Sequence, residues 1–213
     1  MHGHVLPKGS RDLLAEIEKC TPKALRGWTL AGGTGLALHL GHRLSEGLDF
    51  FRLTRMERPG LYEALQRFGN CETLQQEART FTVLVRGIKI SFFQIREPFL
   101  FPTVPFSFFR VADVKDIAPM KLAAIADRGS RKDFIDLYAI LRRGQDLRAC
   151  FSFLDEKYGK GRLNDYQILK SLTYFDDAEK EPLPRMLEPF DWKECKAFFL
   201  REAHGMVLPP RDG

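Results

Sequence analysis

The sequence predicts an α+β protein with a strand-rich first half and a helical second half. Within Glu72–Ile95 the run FTVLVRGIKISFF is typical of two strands joined by a turn at Arg86-Gly87. Beyond Asp113 the apolar residues recur at helical spacing instead. This change of pattern predicts two lobes, residues 1–112 and 113–213.

The first predicted elements are a helix, a short strand and a second helix. Ser10–Cys20 has one apolar stripe at helical spacing, and Ser10 is a candidate N-cap. Gly27–Leu30 is extended and leads into a glycine turn, after which an apolar run predicts a buried helix that ends at Gly41.

A core strand, a short helix and an irregular connection are predicted next. Leu48–Leu53 is apolar and aromatic, as core strands are, and Leu61–Phe68 is helical. The proline- and phenylalanine-rich run after Pro98 predicts an irregular connection. The second lobe has five predicted helices: Ile117–Arg128, Asp133–Arg142, Leu147–Tyr158, Leu163–Phe175 and Trp192–His204.

Composition favours a folded cytoplasmic protein. With 213 residues, 44% of them hydrophobic, the chain can bury a sizeable core. A net charge of +5 favours phosphate-bearing partners, although a solvated basic surface explains it equally well. Four scattered cysteines form neither a zinc motif nor a disulfide framework. Because the sequence contains no signal peptide and no long apolar run, we expect a cytoplasmic location and no membrane partner.

The segment Gly32-Gly33-Thr34 is a candidate phosphate site. A strand, a glycine turn and a helix in this order present backbone N–H groups to an anion, and Thr34 adds a hydroxyl. Neither the P-loop pattern nor the dinucleotide pattern GxGxxG is met. A purely structural turn is the alternative interpretation.

Asp49 is a candidate metal ligand. It interrupts an apolar strand with a charge that must face solvent or a partner. Strand residues two apart face the same side, so carboxylates at positions 47 and 49 would suit magnesium. Position 47 is Gly47, and Glu46 would face the other way if the strand has already begun there.

A charged run from Lys121 to Tyr138 forms the third candidate feature. Lys121 and Arg128 are seven residues apart and share a helix face, whereas Asp133 and Asp136 begin the next helix. These residues suit a cationic clamp for a triphosphate, oriented by an acidic partner. An interhelical ion-pair network is the alternative.

Together these pieces resemble the AbiEii/AbiGii family of bacterial nucleotidyltransferase toxins, which are similar to DNA polymerase β-like nucleotidyltransferases. The matching segments cover about half of the chain, in a fairly specific order. They are Gly32-Gly33-Thr34, Leu36-Ala37-Leu38, Gly41-His42-Arg43, Ser45, Leu48-Asp49-Phe50-Phe51, Gly87, Ile90, Lys121, Arg128, Lys132-Asp133 and Asp136-Leu137-Tyr138.

The resemblance implies a nucleotidyltransferase-like mixed sheet with helices, followed by a helical C-terminal lobe. It implies transfer of a nucleotide from a nucleoside triphosphate to RNA, with tRNA as one target, together with Mg²⁺ and an antitoxin partner. The implied phosphate-binding residues are Gly32, Gly33, Thr34, Ser45, Lys121 and Arg128. Asp49 would bind the metal, and Asp133 would orient Lys121 or Arg128.

The chain departs from the family pattern at its carboxylates. Family members commonly have an aspartate two residues before the one that matches Asp49, where this chain has Gly47. The third carboxylate of polymerase β-like enzymes falls near Ser91. Losing a carboxylate ligand slows phosphoryl transfer by orders of magnitude. The alternative function is therefore a catalytically degenerate relative that binds nucleotide, RNA or a protein without chemistry.

Overall fold

In the computed structural model, which describes residues 1–206, the first half of the chain forms one seven-stranded mixed sheet. The strands lie in the order β3-β4-β5-β2-β1-β7-β6. Their bounds are β1 Thr29–Leu30, β2 Leu48–Arg52, β3 Cys71–Gln76, β4 Thr80–Val85, β5 Ile88–Gln94, β6 Val104–Phe106 and β7 Phe109–Val111.

Three helices accompany the sheet: α1 Lys8–Lys19, α2 Gly32–Leu40 and α3 Arg58–Gln66. Helix α2 ends at Gly41, whose φ of 72° is the left-handed conformation that favours glycine. The prediction that Ser10 caps α1 is wrong, because that helix begins at Lys8 and Ser10 lies buried inside it.

One face of the sheet is packed against the core. Phe50 on β2 and Phe92 on β5 are stacked with ring centroids 5.6 Å apart, and Trp28 contacts Phe92 edge-on at 4.8 Å. Alternate residues of a strand point to opposite faces. Burying Leu48 and Phe50 on this face therefore places Asp49, which is half-buried, on the opposite face.

The predicted turn at Arg86-Gly87 is confirmed. Both residues have positive φ, 52° and 78°, as a two-residue hairpin turn between β4 and β5 requires.

The segment predicted to be an irregular connection contains a second hairpin, β6–β7. Proline misled the prediction, because Pro105 lies on β6 at the outer edge of the sheet. An edge strand tolerates a residue that has no N–H to donate.

The second half of the chain is helical. Its helices are α4 Val114–Arg128, α5 Arg131–Leu141, α6 Leu147–Tyr158, α7 Asp165–Ser171, α8 Asp176–Lys180 and α9 Trp192–Gly205. The single helix predicted over Leu163–Phe175 is wrong in extent, because α7 ends at Ser171 and α8 follows as a separate short helix. Phe134 on α5 anchors the core, with Phe199 on α9 at 5.5 Å between ring centroids.

The chain divides into two compact units, Met1–Asp113 and Val114–Gly213. The predicted α+β fold class, with a mixed sheet and a helical second half, is confirmed. Across residues 1–206 no helix has the length and apolar character needed to cross a membrane.

Candidate functional site

Asp49 lies beside the N-terminus of α2. Its backbone carbonyl accepts a hydrogen bond of 3.0 Å from the N–H of Ala31, the residue before the helix. Its carboxylate lies against Gly32, where an added Cβ would stand only 3.1 Å from Asp49 Oδ2. Gly32 also has a φ of +62°, so both the conformation and the close approach require glycine there.

The amides at the start of α2 suit an anion. The first intrahelical bond runs from the Gly35 N–H to the Ala31 carbonyl, so the N–H groups of Gly33 and Thr34 precede it. These dipoles favour negative charge. Asp49 already places a carboxylate here, so a phosphate in the same place would need a cation between the two anions.

Thr34 and Ser45 hydrogen-bond to each other. Both side chains are buried, and their hydroxyl oxygens lie 2.6 Å apart. Thr34 also donates to the Gly47 carbonyl, which uses its only hydroxyl proton, so Ser45 must donate to Thr34. The pair therefore ties the first turn of α2 to the residues that precede β2. A phosphate contact with either hydroxyl would require one of these bonds to break.

The structure defines the two positions where carboxylates were expected. Asp49 pairs with Ser91 across the parallel β2–β5 ladder, so Ser91 lies directly beside it. An added Cβ at Gly47 would meet only the Lys89 carbonyl oxygen, at an ordinary 3.8 Å. Because Gly47 lacks a positive φ, this position can accept a side chain.

The donor set at Asp49 limits the metal chemistry. In the part of the chain that the structure describes, no group of three or more His, Cys, Asp or Glu side chains is arranged to hold a metal ion. Mg²⁺ in nucleotide sites is commonly held by one or two carboxylates together with substrate phosphates and water. Asp49 fits one Mg²⁺ bound in this way, but not a pair of metal ions, which would need a further bridging carboxylate.

In the second unit, Lys121 is buried between two carboxylates. Its Nζ lies 2.8 Å from Asp133 Oδ1 and 2.7 Å from Asp136 Oδ2. All three side chains are almost fully buried. The structure makes Asp136 an ion-pair member. Asp136 follows Asp133 by three residues, so both carboxylates lie on one helix face. This spacing is the sequence signal that predicts a shared ion-pair partner.

Arg128 binds the same aspartate from the surface. Its Nε and Nη2 donate to Asp133 at 2.7 and 3.1 Å, although 61% of its side chain is exposed. Burial alone would raise the pKa of Asp133, but the charge of Lys121 and the hydrogen bond from Arg128 outweigh it and hold the pKa below its ordinary value. The interhelical ion-pair network, which is the alternative interpretation of the charged run, is therefore present and links α4 to α5.

Comparison with known proteins identifies a family for this chain. A family model described as nucleotidyl transferase AbiEii toxin, Type IV TA system, matches residues 20–205. An uncharacterised protein of Aquifex aeolicus is 40% identical over 182 residues, covering 81% of this chain and 84% of that protein.

Solved structures share the fold at low sequence identity. MenT4, a nucleotidyltransferase toxin from Mycobacterium tuberculosis, has a TM-score of 0.59 at 16% identity, covering 93% of this chain and 83% of MenT4. JHP933 from Helicobacter pylori has a TM-score of 0.55 at 16% identity, covering 93% and 92% of the two chains. With a family model matched over most of its length, the chain belongs to the AbiEii nucleotidyltransferase toxin family.

Proposed function

We propose that this protein transfers a nucleotide from a nucleoside triphosphate to an RNA acceptor, with tRNA as the first candidate. In this reaction an RNA hydroxyl oxygen bonds to the α-phosphorus, the bond between the α-phosphorus and the oxygen that bridges to the β-phosphate breaks, pyrophosphate leaves, and the hydroxyl proton passes to solvent. The observation that supports the proposal best is the Asp49 carboxylate held against Gly32 at the N-terminus of α2.

Asp49 and the first turn of α2 have complementary roles in this proposal. The N–H groups of Gly33 and Thr34 bind phosphate, and Asp49 binds one Mg²⁺. A metal ion held there by Asp49 would supply charge neutralisation on the phosphates. The hydroxyl pair of Thr34 and Ser45 keeps the helix terminus in register with the strand that carries Asp49.

Residues of the second unit have separately proposed roles. Arg128 is exposed and binds phosphate, while Asp133 fixes its guanidinium by two hydrogen bonds. Lys121 contributes positive charge, although two carboxylates already surround its ammonium group. Replacing Arg128 by alanine tests this role, since it removes a side chain that is largely at the surface.

The test is incorporation of labelled nucleotide into total RNA, with each of the four triphosphates and Mg²⁺. We compare the wild type with Asp49→Asn, which keeps the shape of the side chain and removes its charge. Glu46→Gln is the matched control, because Glu46 is an exposed carboxylate close to Asp49 in the chain. We expect the wild type and Glu46→Gln to label RNA and Asp49→Asn to lose this activity.

A second candidate function follows from Gly47 and Ser91, which occupy the two positions where carboxylates were expected. A relative without these carboxylates would bind nucleotide, RNA or a protein and transfer nothing. The substitution Gly47→Asp decides between the two functions, since the position accepts a side chain. If the wild type incorporates no labelled nucleotide and the Gly47→Asp variant does, the protein is a degenerate relative, and the proposal that it is an enzyme is overturned.

The family also suggests a partner and a location. Because the matching model describes one half of a toxin–antitoxin system, we include an antitoxin protein among the proposed partners. All four cysteines are free thiols, which supports a reducing cytoplasm. Growth arrest on expression, relieved by Asp49→Asn but not by Glu46→Gln, is the expected cellular result.

A further inference from the structure

Lys89 is the only charged residue of β5 and lies on the same sheet face as Asp49. Its neighbours Ile88 and Ile90 are buried on the core face, whereas Lys89 is exposed. Since side chains alternate along a strand, Lys89 and Ser91 point to the face opposite the core. Ser91 is the residue paired with Asp49, so Lys89 and Asp49 emerge on one surface.

The β2–β5 register brings Lys89 beside Gly47. The pairs Leu48 with Ile90 and Asp49 with Ser91 extend by one residue to Gly47 and Lys89. The 3.8 Å approach of a Gly47 Cβ to the Lys89 carbonyl oxygen supports this extension. Strands lie about 4.8 Å apart and two residues span about 6.6 Å, so the Cα atoms of Lys89 and Asp49 are about 8 Å apart. A lysine side chain can reach across that distance to a phosphate lying over Asp49.

Positions 47 and 89 of this chain together carry a positive charge. Where a second carboxylate is expected, Gly47 contributes no charge, and the adjacent strand presents an ammonium group. Within residues 1–206, Lys89 has neither an ion pair nor a side-chain hydrogen bond. An aspartate at position 47 would lie next to this ammonium group and compete with a bound anion for it.

We propose that Lys89 binds the triphosphate of the nucleotide that Asp49 binds through Mg²⁺. This inference rests on the proposed function and adds a residue that the sequence motifs do not include. The lysine ammonium neutralises phosphate charge on the β5 side of Asp49, where β5 itself carries no carboxylate. Gly47 leaves room for the phosphate chain to reach it.

Binding without turnover provides the test. The probes are the α,β-methylene triphosphates of the four ribonucleosides, whose α–β bond cannot be cleaved, titrated calorimetrically with Mg²⁺. The variants are Lys89→Gln, Lys89→Arg and, as a matched control, Lys8→Gln, which removes an exposed lysine from α1. Binding of a short RNA to each variant is measured in parallel, and thermal melts establish that each variant is folded.

We expect Lys89→Gln to weaken triphosphate binding about tenfold or more, Lys89→Arg to stay near the wild type, and Lys8→Gln to bind normally. Equal binding by the wild type and Lys89→Gln would overturn the role of Lys89 and leave the proposed function intact. The role of Lys89 would also be overturned if Lys89→Gln and Lys89→Arg lost triphosphate binding equally, or if Lys89→Gln lost only RNA binding. A wild type that binds none of the triphosphates overturns the proposed function itself, and this inference with it.

Discussion

Asp133 shows how strongly a single buried carboxylate can depend on its partners. It accepts hydrogen bonds from Lys121 and from Arg128 while being almost completely buried. Removing its charge takes from the buried Lys121 ammonium one of the two carboxylates that flank it, and takes from Arg128 the anion that it binds. At this residue the requirements of stability and of the proposed function therefore coincide, and measurements must separate them.

The substitution Asp133→Asn should destabilise the second unit by roughly 3 kcal/mol at neutral pH, because the buried Lys121 ammonium loses the negative charge of one of its two carboxylate partners and Arg128 loses the anion that it binds. Urea unfolding followed by circular dichroism measures this difference. The control is Asp177→Asn, which breaks the exposed pair with Lys180 and should leave stability nearly unchanged. Similar losses in both variants would contradict the importance of burial.

The lowered pKa of Asp133 predicts an acid dependence. An aspartate in an unfolded chain titrates near pH 3.9, and Asp133 in the folded protein titrates below that value. The ionised carboxylate therefore contributes its full stability above about pH 5, and this contribution falls as the pH drops below 4. The stability difference between wild type and Asp133→Asn should narrow from pH 6 to pH 3. A difference that stays constant would contradict the lowered pKa.

The cysteines predict a pattern of thiol reactivity. Burial raises the pKa of Cys150 to about 12 and raises the pKa values of Cys71 and Cys195 as well, whereas Cys20 is exposed. Thiolate is the reactive form. A thiol reagent at pH 8 should modify one cysteine quickly in the folded protein and all four in denaturant, with Cys20→Ser removing the fast reaction. Fast modification that survives in Cys20→Ser would contradict this assignment.

At the scale of elements, local sequence chemistry predicted the turns better than the strands. Arg86-Gly87 and Gly41 lie where positive φ is required, and short-range signals locate both. The β6–β7 hairpin was missed because Pro105 argues against a strand unless its edge position is known, and that position depends on long-range pairing. The charged residue on β5 was missed for the same reason, since only the register with β2 places Lys89 beside Gly47.

The junction of β1 and α2 provides a prediction at this scale. Gly32→Ala and Gly27→Ala both place a Cβ at positive φ, +62° and +75°, at a similar cost of about 1–2 kcal/mol. Only the Gly32 variant meets a neighbour, Asp49 Oδ2 at 3.1 Å, whereas Gly27 has open space. We therefore expect Gly32→Ala to lose somewhat more stability in thermal melts than Gly27→Ala, and nucleotide transfer to be lost only in Gly32→Ala.

Equal transfer by the two glycine variants would show that the position of the Asp49 carboxylate is unimportant. A loss of transfer in both would point to general strain in the first unit instead. The comparison thus separates backbone conformation from the contact that supports the proposed site.

For the whole molecule, the sequence was informative about fold class and family because both are spread over many residues. Three sequence signals agree with one another: the alternation of apolar and polar residues in strands, the helical spacing of apolar residues, and the order of short motifs. Such consistency specifies a fold. The assignment of individual side chains was less complete. Thr34 and Ser45 were predicted as phosphate contacts, and only the structure shows that they hydrogen-bond to each other. Which groups a hydroxyl contacts is decided by tertiary packing.

The two tryptophans allow ligand binding to be followed in each unit separately. Trp28 is buried in the first unit and Trp192 lies in the second, so Trp192→Phe and Trp28→Phe variants each report one unit by fluorescence. A ligand that binds only the native state at a hundred times its Kd adds about 2.7 kcal/mol of stability. Mg²⁺ with the preferred triphosphate should therefore raise the Trp28-reported midpoint by on the order of 10 °C.

This stabilisation should require both Mg²⁺ and Asp49, because the carboxylate and the phosphates repel each other without the cation. Asp49→Asn should abolish the Mg²⁺-dependent part of the shift, while Glu46→Gln should keep it. A shift of equal size without Mg²⁺ would mean that the amides of α2 bind phosphate independently of Asp49. If no triphosphate moves the midpoint of either unit, nucleotide binding is refuted, and the Asp49 carboxylate at the start of α2 is an N-terminal charge that stabilises the helix and nothing more.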